Sequence, residues 1–171
     1  MKKFILSLLL VSFSLSSFAY KASQTCINHI KQHETCQLKA YWDSNGYSIG
    51  WGHHASDVKQ GMKISQAKAD AYLKSDLKTA EEGARRLINS LPYKYNFSQA
   101  FFDGLVDLVY NCGEGGVKSS TFYQRLKKCR VKNNVMNKSD YDYTLSAVKT
   151  VRISCKGHIK RRQATYKMML S

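Results

Sequence analysis

The sequence predicts an α+β domain, mainly helical, in which a small β-hairpin lobe is joined by a long helix to a helical lobe. Three observations predict it. The 171 residues hold a single proline, Pro92, and ten glycines, so little interrupts the helices. Asn45-Gly46 lies between two short aromatic-rich runs and is a two-residue hairpin signal. Ser65 can cap a run to about Asn89 whose apolar positions keep a helical period. A cleft between two such lobes is the natural place for a ligand.

In order along the chain, residues 1–19 read as a secretory leader. Lys2 and Lys3 are charged, Phe4 to Phe18 is apolar, and Ser17-Phe18-Ala19 is a small-x-small cleavage site before Tyr20. The competing reading is an uncleaved anchor. However, this run of 15 uncharged residues carries five serines and is short of the roughly 20 apolar residues a span needs. Residues 24–34 form a first helix with Cys26, Ile27 and Ile30 on one face. Leu38 to Trp42 and Tyr47 to Trp51 read as strands, and the polar stretch 53–63 leaves room for a further short strand. The long helix carries Ala67, Ala71, Leu73, Leu77, Ala80, Ala84, Leu87 and Ile88 on its apolar side. Asn96 with Gln99 has capping-box spacing and opens a helix to about Asn111 that is apolar nearly all round, the expected buried centre. Gly113, Gly115 and Gly116 end it. Thr121 with Gln124 repeats the spacing for a helix to about Lys132, and residues 139–150 and 157–169 can each form one more.

The formal charge is +15, and removal of the leader, with its two lysines and no acid, lowers it to +13. Such a charge selects anionic partners, unless it serves solubility alone. Nucleic acid ranks last among them, because the basic residues are spread rather than gathered in a stripe and the leader points outward. Anionic cell-wall polymers, lipopolysaccharide or phospholipid suit an exported protein better. Five cysteines remain after the leader: Cys26, Cys36, Cys112, Cys129 and Cys155. Cys26 and Cys36 stand at the two ends of one helix, roughly 15 Å apart and beyond disulfide reach. Any bridge should therefore involve Cys112, Cys129 or Cys155, most simply a pair within those three. No C-x-x-C or Cys/His spacing suggests a metal, and no cofactor is expected.

The chemistry is carried by residues 33–53, H-E-T-C-Q-L-K-A-Y-W-D-S-N-G-Y-S-I-G-W-G-H. Glu34 closes a helix and Asp43 stands at the mouth of a hairpin. Cutting a glycosidic bond needs one carboxyl to donate a proton to the leaving oxygen and a second to act on the opposite face. The two must sit in unlike surroundings. Glu34 follows an apolar helix face, where partial burial suits a proton donor. Asp43 should be exposed, which suits the charged base or nucleophile. Ser48 lies across the hairpin, where a hydroxyl can position a water. Tyr41, Trp42, Tyr47 and Trp51 offer flat faces for sugar rings. Taken singly, each feature has an ordinary structural explanation: a solvated helix-end charge, a turn-forming aspartate, cross-strand packing. Their combination is what points to chemistry.

That combination resembles the phage-type lysozymes, glycoside hydrolase family 24, whose signature is a Glu, eight residues, an Asp or Cys, five residues and a Thr, then I-G-x-G-H. Glu34, eight residues and Asp43 match, and Ser48-Ile49-Gly50-Trp51-Gly52-His53 stands where the family has Thr-Ile-Gly-x-Gly-His. Gly61 with Ile64 and Ala67 resembles the family's approach to its long helix. Tyr110-Asn111-Cys112-Gly113 followed by Ser120-Thr121, and Gly157 through Arg161-Arg162, resemble its later elements, so the likeness runs along nearly the whole chain after the leader. Two departures bear on the site. Only four residues separate Asp43 from Ser48, and Ser replaces Thr. Thr165 also stands where a Glu often follows the paired arginines.

The resemblance implies a lysozyme-like fold and a secreted or periplasmic muramidase, monomeric and without cofactor. Its substrate would be peptidoglycan, cut at the β-1,4 bond between N-acetylmuramic acid and N-acetylglucosamine. Glu34, Asp43 and Ser48 would be catalytic. His53 would pair with an acid on the long helix, Asp76, unless it is simply exposed. Arg161 or Arg162 would pair with Glu34 and order it, or both would form a solvated basic face. Tyr41, Trp51, Asn111 and Glu114 would line the cleft, Glu114 being otherwise a surface charge. The rival class is a non-catalytic, cationic wall-binding or membrane-active protein on the same scaffold.

Overall fold

The computed structural model describes residues 20–43, 45–153 and 156–171. The expected leader, Ser44 and Cys155 lie outside the described residues. Helix α1 spans Gln24–His33. Its cap, Ser23, accepts from the Cys26 N–H at 3.3 Å and is itself held by α3, because Asp103 accepts its N–H at 3.0 Å and its hydroxyl as well. The helix stops at Glu34, whose backbone turns extended (φ −106°, ψ 130°) while its N–H still donates to Ile30 at 2.9 Å.

Strands β1 (Gln37–Asp43), β2 (Gly46–Gly50) and β3 (His53–His54) form an antiparallel sheet in that order. The outer edge of β1 is covered in part by residues 62–64, through Ala40 N–H to Met62 O and Ile64 N–H to Leu38 O, both 2.9 Å. Asp43 lies opposite Gly46, so Gly46 belongs to the paired strands and not to the turn. Gly46 is a strand residue and is absent from the glycines with positive φ. The Asn45-Gly46 signal locates the hairpin, although Gly46 pairs within the sheet rather than turning the chain.

Helix α2 spans Gln66–Asn89 and starts at Ser65, whose hydroxyl accepts from Lys68 N–H at 3.2 Å. It buries Ala69, Leu73, Leu77, Ala80, Ala84 and Leu87, whereas Ala67 and Ala71 are exposed. The alanine that meets the sheet is Ala69, against which Gly50 packs so closely that a Cβ on Gly50 would lie 3.2 Å from the Ala69 Cβ.

Helix α3 spans Gln99–Lys118 and is capped by Ser98, accepting from Phe101 N–H at 3.1 Å, rather than by Asn96. The Gln99 amide instead donates to Lys21 O and Asp103, each at 2.8 Å. The helix does not stop at Asn111. It kinks at Gly113 (φ 71°, ψ 159°) and resumes. Phe101, Phe102, Leu105, Val106 and Leu108 are buried, and α1, α2 and the C-terminal helix pack around them, as expected of the centre. Each such side chain contributes about 1.5–3 kcal/mol.

Helix α4 spans Thr121–Leu126, with Ser120 rather than Thr121 as its cap. It is shorter than expected because the chain turns into a second hairpin, β4 (Val131–Lys132) and β5 (Val135–Met136). There Asn133 and Asn134 take φ of 52° and 59°, the pair of positive values a tight hairpin turn needs. Helix α5 (Lys138–Ser146), a 3-10 turn (Ala147–Thr150) and α6 (Lys156–Leu170) complete the chain. Cys112 and Cys129 are both free thiols, so the favoured bridge is not formed between them, and Cys129 instead lies 3.2 Å from the Thr144 hydroxyl.

Candidate active site

Two clusters flank the segment 48–54. The first gathers on Glu34. Its side chain is 22% exposed, partly buried as expected, and Arg161 from α6 donates to Oε1. Arg161 is buried and also donates from Nε (3.0 Å) and Nη2 (2.7 Å) to Asp107 of α3. Asp107, with no exposed surface, accepts further from the Thr165 hydroxyl at 2.6 Å and lies 3.4 Å from His29 Nε2. Burial on its own would raise the Asp107 pKa. His29 and the Arg161 guanidinium outweigh it and hold the carboxyl well below the usual range. The same pair of acids, Asp107 and Glu34, overcomes the burial of Arg161 and raises its pKa further. Glu34 is therefore not in a wholly apolar pocket, as its helix face suggested. It is gripped by a guanidinium that a buried carboxylate fixes in turn.

Arg162 is fully buried too, which rules out the solvated basic face for both arginines. It turns away from Glu34, donating to Val151 O at 2.8 Å, to Cys112 Sγ at 2.8 Å and to the Asn111 side chain, with Nη1 3.9 Å from Asp107 and without a hydrogen bond.

The second cluster gathers on Ser48. Directly opposed residues of an antiparallel pair share a face, and alternate residues along a strand share it also. Tyr41 opposes Ser48, Asp43 opposes Gly46 and Ser48 opposes His54, so Tyr41, Asp43, Ser48 and His54 converge. The Ser48 hydroxyl lies 3.3 Å from Asp43 Oδ2 and 3.0 Å from His54 Nδ1. Asp43 is exposed, whereas Ser48 has no exposed surface. That burial fits Ser48 to orienting Asp43 better than to holding a water. Asp43 and Ser48 share one face because Asp43 pairs with Gly46 and Ser48 stands two residues beyond it.

The Tyr41 pKa is raised, first by burial and then by the charges of Asp43 and Glu34, with Ser48 opposing. The phenol thus feels both carboxylates. Trp42 pairs with Tyr47 on the alternate face, in edge-to-face contact at 5.2 Å, and Trp42 is 64% exposed. This pair points away from the acids.

Between the clusters, Gly52 (φ 94°) carries the chain past Glu34, where a Cβ would sit 3.5 Å from Oε2. His53 Nδ1 lies 2.9 Å from both oxygens of Asp76, and its ring stacks on Tyr72 at 4.0 Å, so the expected pair joins sheet to α2. Burial raises the Asp76 pKa against the opposing bond from His53. A cavity of 290 Å³ opens here, lined among others by Gly52, His54, Asp76, Arg86, Tyr110 and Glu114. Glu114 is on its wall, bonded by Arg86 Nε at 2.9 Å. Tyr41, Trp51 and Asn111 do not line it, and neither do the carboxylates Glu34 and Asp43. Asn111 is engaged by Arg162, and Trp51 is a buttress: its indole N–H donates to Asp70 at 2.8 Å, and its carbonyl accepts from Tyr110 at 2.8 Å. A larger cavity of 750 Å³ runs between α1 and α2 on the opposite face of α2 and touches neither Glu34 nor Asp43.

Sequence reasoning missed Asp107, Asp103 and His54. The first two had a signal: acids spaced i, i+4 on an otherwise apolar helix must face partners. His54 had only its place beside His53.

Residues 31–165 match the family described as Phage lysozyme. The endolysin of Bacillus phage B103 is 39% identical over 107 residues, covering 61% of this chain and 39% of that protein. The chain thus spans about two-fifths of the length of that relative. The endolysin of Acyrthosiphon pisum secondary endosymbiont phage 1 is 32% identical, over 79% of this chain and 88% of its own length. Among solved structures, an endolysin from Escherichia coli O157:H7 phage FAHEc1 superposes with a TM-score of 0.70 at 27% identity, covering 88% of this chain and 94% of that one. With motif, fold and family match in agreement over most of its length, the chain belongs to the phage lysozyme family.

Proposed function

We propose that this protein is a peptidoglycan muramidase that hydrolyses the β-1,4 bond between N-acetylmuramic acid and N-acetylglucosamine. Support comes from the family and from relatives named as endolysins. The observation that carries the reading is the grip of Arg161 on Glu34 at the end of α1, across Gly52 from the Asp43–Ser48 hairpin. Glu34 donates its proton to the glycosidic oxygen as the C–O bond breaks. Asp43 stabilises the positive charge that develops on the sugar or activates the attacking water. Water adds to the anomeric carbon, and its proton restores Glu34 directly or by way of Asp43. Ser48 orients Asp43. Tyr41 and Glu114 meet sugar, while Trp51 and Asn111 hold the scaffold behind them. The reading extends to a monomer that is exported, loses residues 1–19 and is retained on anionic wall polymers by its charge.

Release of reducing ends from purified sacculi tests it. Glu34→Gln is expected to lower release by at least about 100-fold while the protein unfolds as cooperatively as wild type. A wild-type protein that binds sacculi and releases nothing would transfer the reading to a non-catalytic cationic wall binder.

A further inference from the structure

The Asp43–Ser48 hydrogen bond has a third member. His54 stands directly opposite Ser48 on the neighbouring strand, its Nδ1 3.0 Å from the Ser48 hydroxyl, while that hydroxyl lies 3.3 Å from Asp43 Oδ2. A hydroxyl carries one proton and accepts through two lone pairs, and an ionised carboxylate only accepts. If both contacts are hydrogen bonds, the Ser48 proton goes to Asp43. Nδ1 must then carry a hydrogen and donate it to Ser48. Only the chain Nδ1–H to Oγ–H to Oδ2 satisfies all three groups, and Tyr41, opposite Ser48 on β1, can use the remaining lone pair.

The space for this ring is built in. A Cβ on Gly46 would lie 2.8 Å from His54 Cε1 and 3.2 Å from Nε2. Gly46 has an ordinary backbone conformation, so the absence of a side chain there serves the imidazole rather than the turn. The arrangement also answers a conformational question set by the serine. Threonine, β-branched, is stiff about χ1, and serine is not. A buried serine that must aim its hydroxyl at an exposed carboxylate needs another constraint, and the His54 bond supplies one.

We propose that His54 is a positioning residue: through Nδ1–H it fixes the rotamer and proton direction of Ser48, which orients the Asp43 carboxylate. This rests on the muramidase reading. Among the described residues His54 has no hydrogen bond to Glu34, and its role runs through Ser48.

The test uses the intact protein and purified sacculi, with kcat and KM measured separately. His54→Ala is expected to lower kcat about tenfold with KM within about twofold, the signature of a misaimed group rather than lost binding. His54→Asn, which can place an amide N–H near the position of Nδ1, is expected to recover most of the loss. In a Ser48→Thr background, where branching fixes the rotamer, His54→Ala is expected to cost less than about threefold. Nitrogen-15 spectra of labelled histidine in the wild type are expected to show Nδ1 protonated in the neutral ring. Unchanged kcat in His54→Ala, an equal loss in the Ser48→Thr background, or hydrogen on Nε2 alone would each overturn the inference. An inactive wild type would overturn the muramidase reading and the inference with it, an outcome plainly distinct from an active wild type indifferent to His54.

Discussion

Asp107 lies where α1, α3 and α6 meet, and its two oxygens are approached by His29, Arg161, Arg162 and Thr165. With no exposed surface, it has no water to replace a lost partner. Its folded pKa is depressed, burial being outweighed by His29 and Arg161. Unfolded, an aspartate titrates near pH ~3.9. The stability it contributes is therefore present above that value and lost as pH falls below it toward the folded pKa. Asp107→Asn, which leaves Arg161 and Arg162 less compensated, is expected to destabilise by about 3–5 kcal/mol near neutral pH. The gap from wild type should narrow below about pH 4, as urea titrations at neutral and acid pH would record. None of this network was assigned from sequence, although the pairing of an arginine with Glu34 was. The family likeness pointed to the arginine pair without choosing between Arg161 and Arg162, whereas Asp107 carries no motif and is explained only by what three distant segments bring to it.

Helix starts show which local rules decide and which are overruled. Ser65, Ser98 and Ser120 each accept the N–H three residues on. Ser65 was legible because it stands alone before its helix. Asn96 and Ser98 both fit a cap ahead of α3, and spacing to Gln99 favours the wrong one. Tertiary demand settles it, since Gln99 is drawn off to Lys21 and Asp103. Ser98→Ala is accordingly expected to lower stability by about 1 kcal/mol, and Asn96→Ala to leave it within a few tenths, as denaturant midpoints would show. The same logic applies to the sheet. The hairpin was legible from its pattern, but its register was not, because Gly46 fits a turn position and a strand position equally well. Trp42 faces away from Asp43 because adjacent residues of a strand alternate, and Tyr47, its cross-strand partner, shares that face.

At the scale of the molecule, two lobes and a long connector were legible, because helical periodicity survives over the length of α2. The position of the cleft was less so. The two faces of α2 carry separate cavities, and neither is lined by Glu34 or Asp43. Charge acts at this scale as well. The chain has 27 Lys and Arg against 12 Asp and Glu. Exposed charges are screened within about 8–10 Å in ordinary buffers. Retention on purified anionic sacculi is therefore expected to fall as salt rises, equally for wild type and Glu34→Gln, and co-sedimentation over a salt series would measure it. Retention indifferent to salt would show that the charge has no part in wall binding.

Glu34 and its guanidinium partner lie far apart in the chain. Glu34 is placed early, but the guanidinium that steadies it arrives 127 residues later, on the last helix. A contact between segments so distant in sequence closes only when α6 docks against α1 and α3, so the order of the Glu34 side chain is a property of the assembled domain rather than of its own helix.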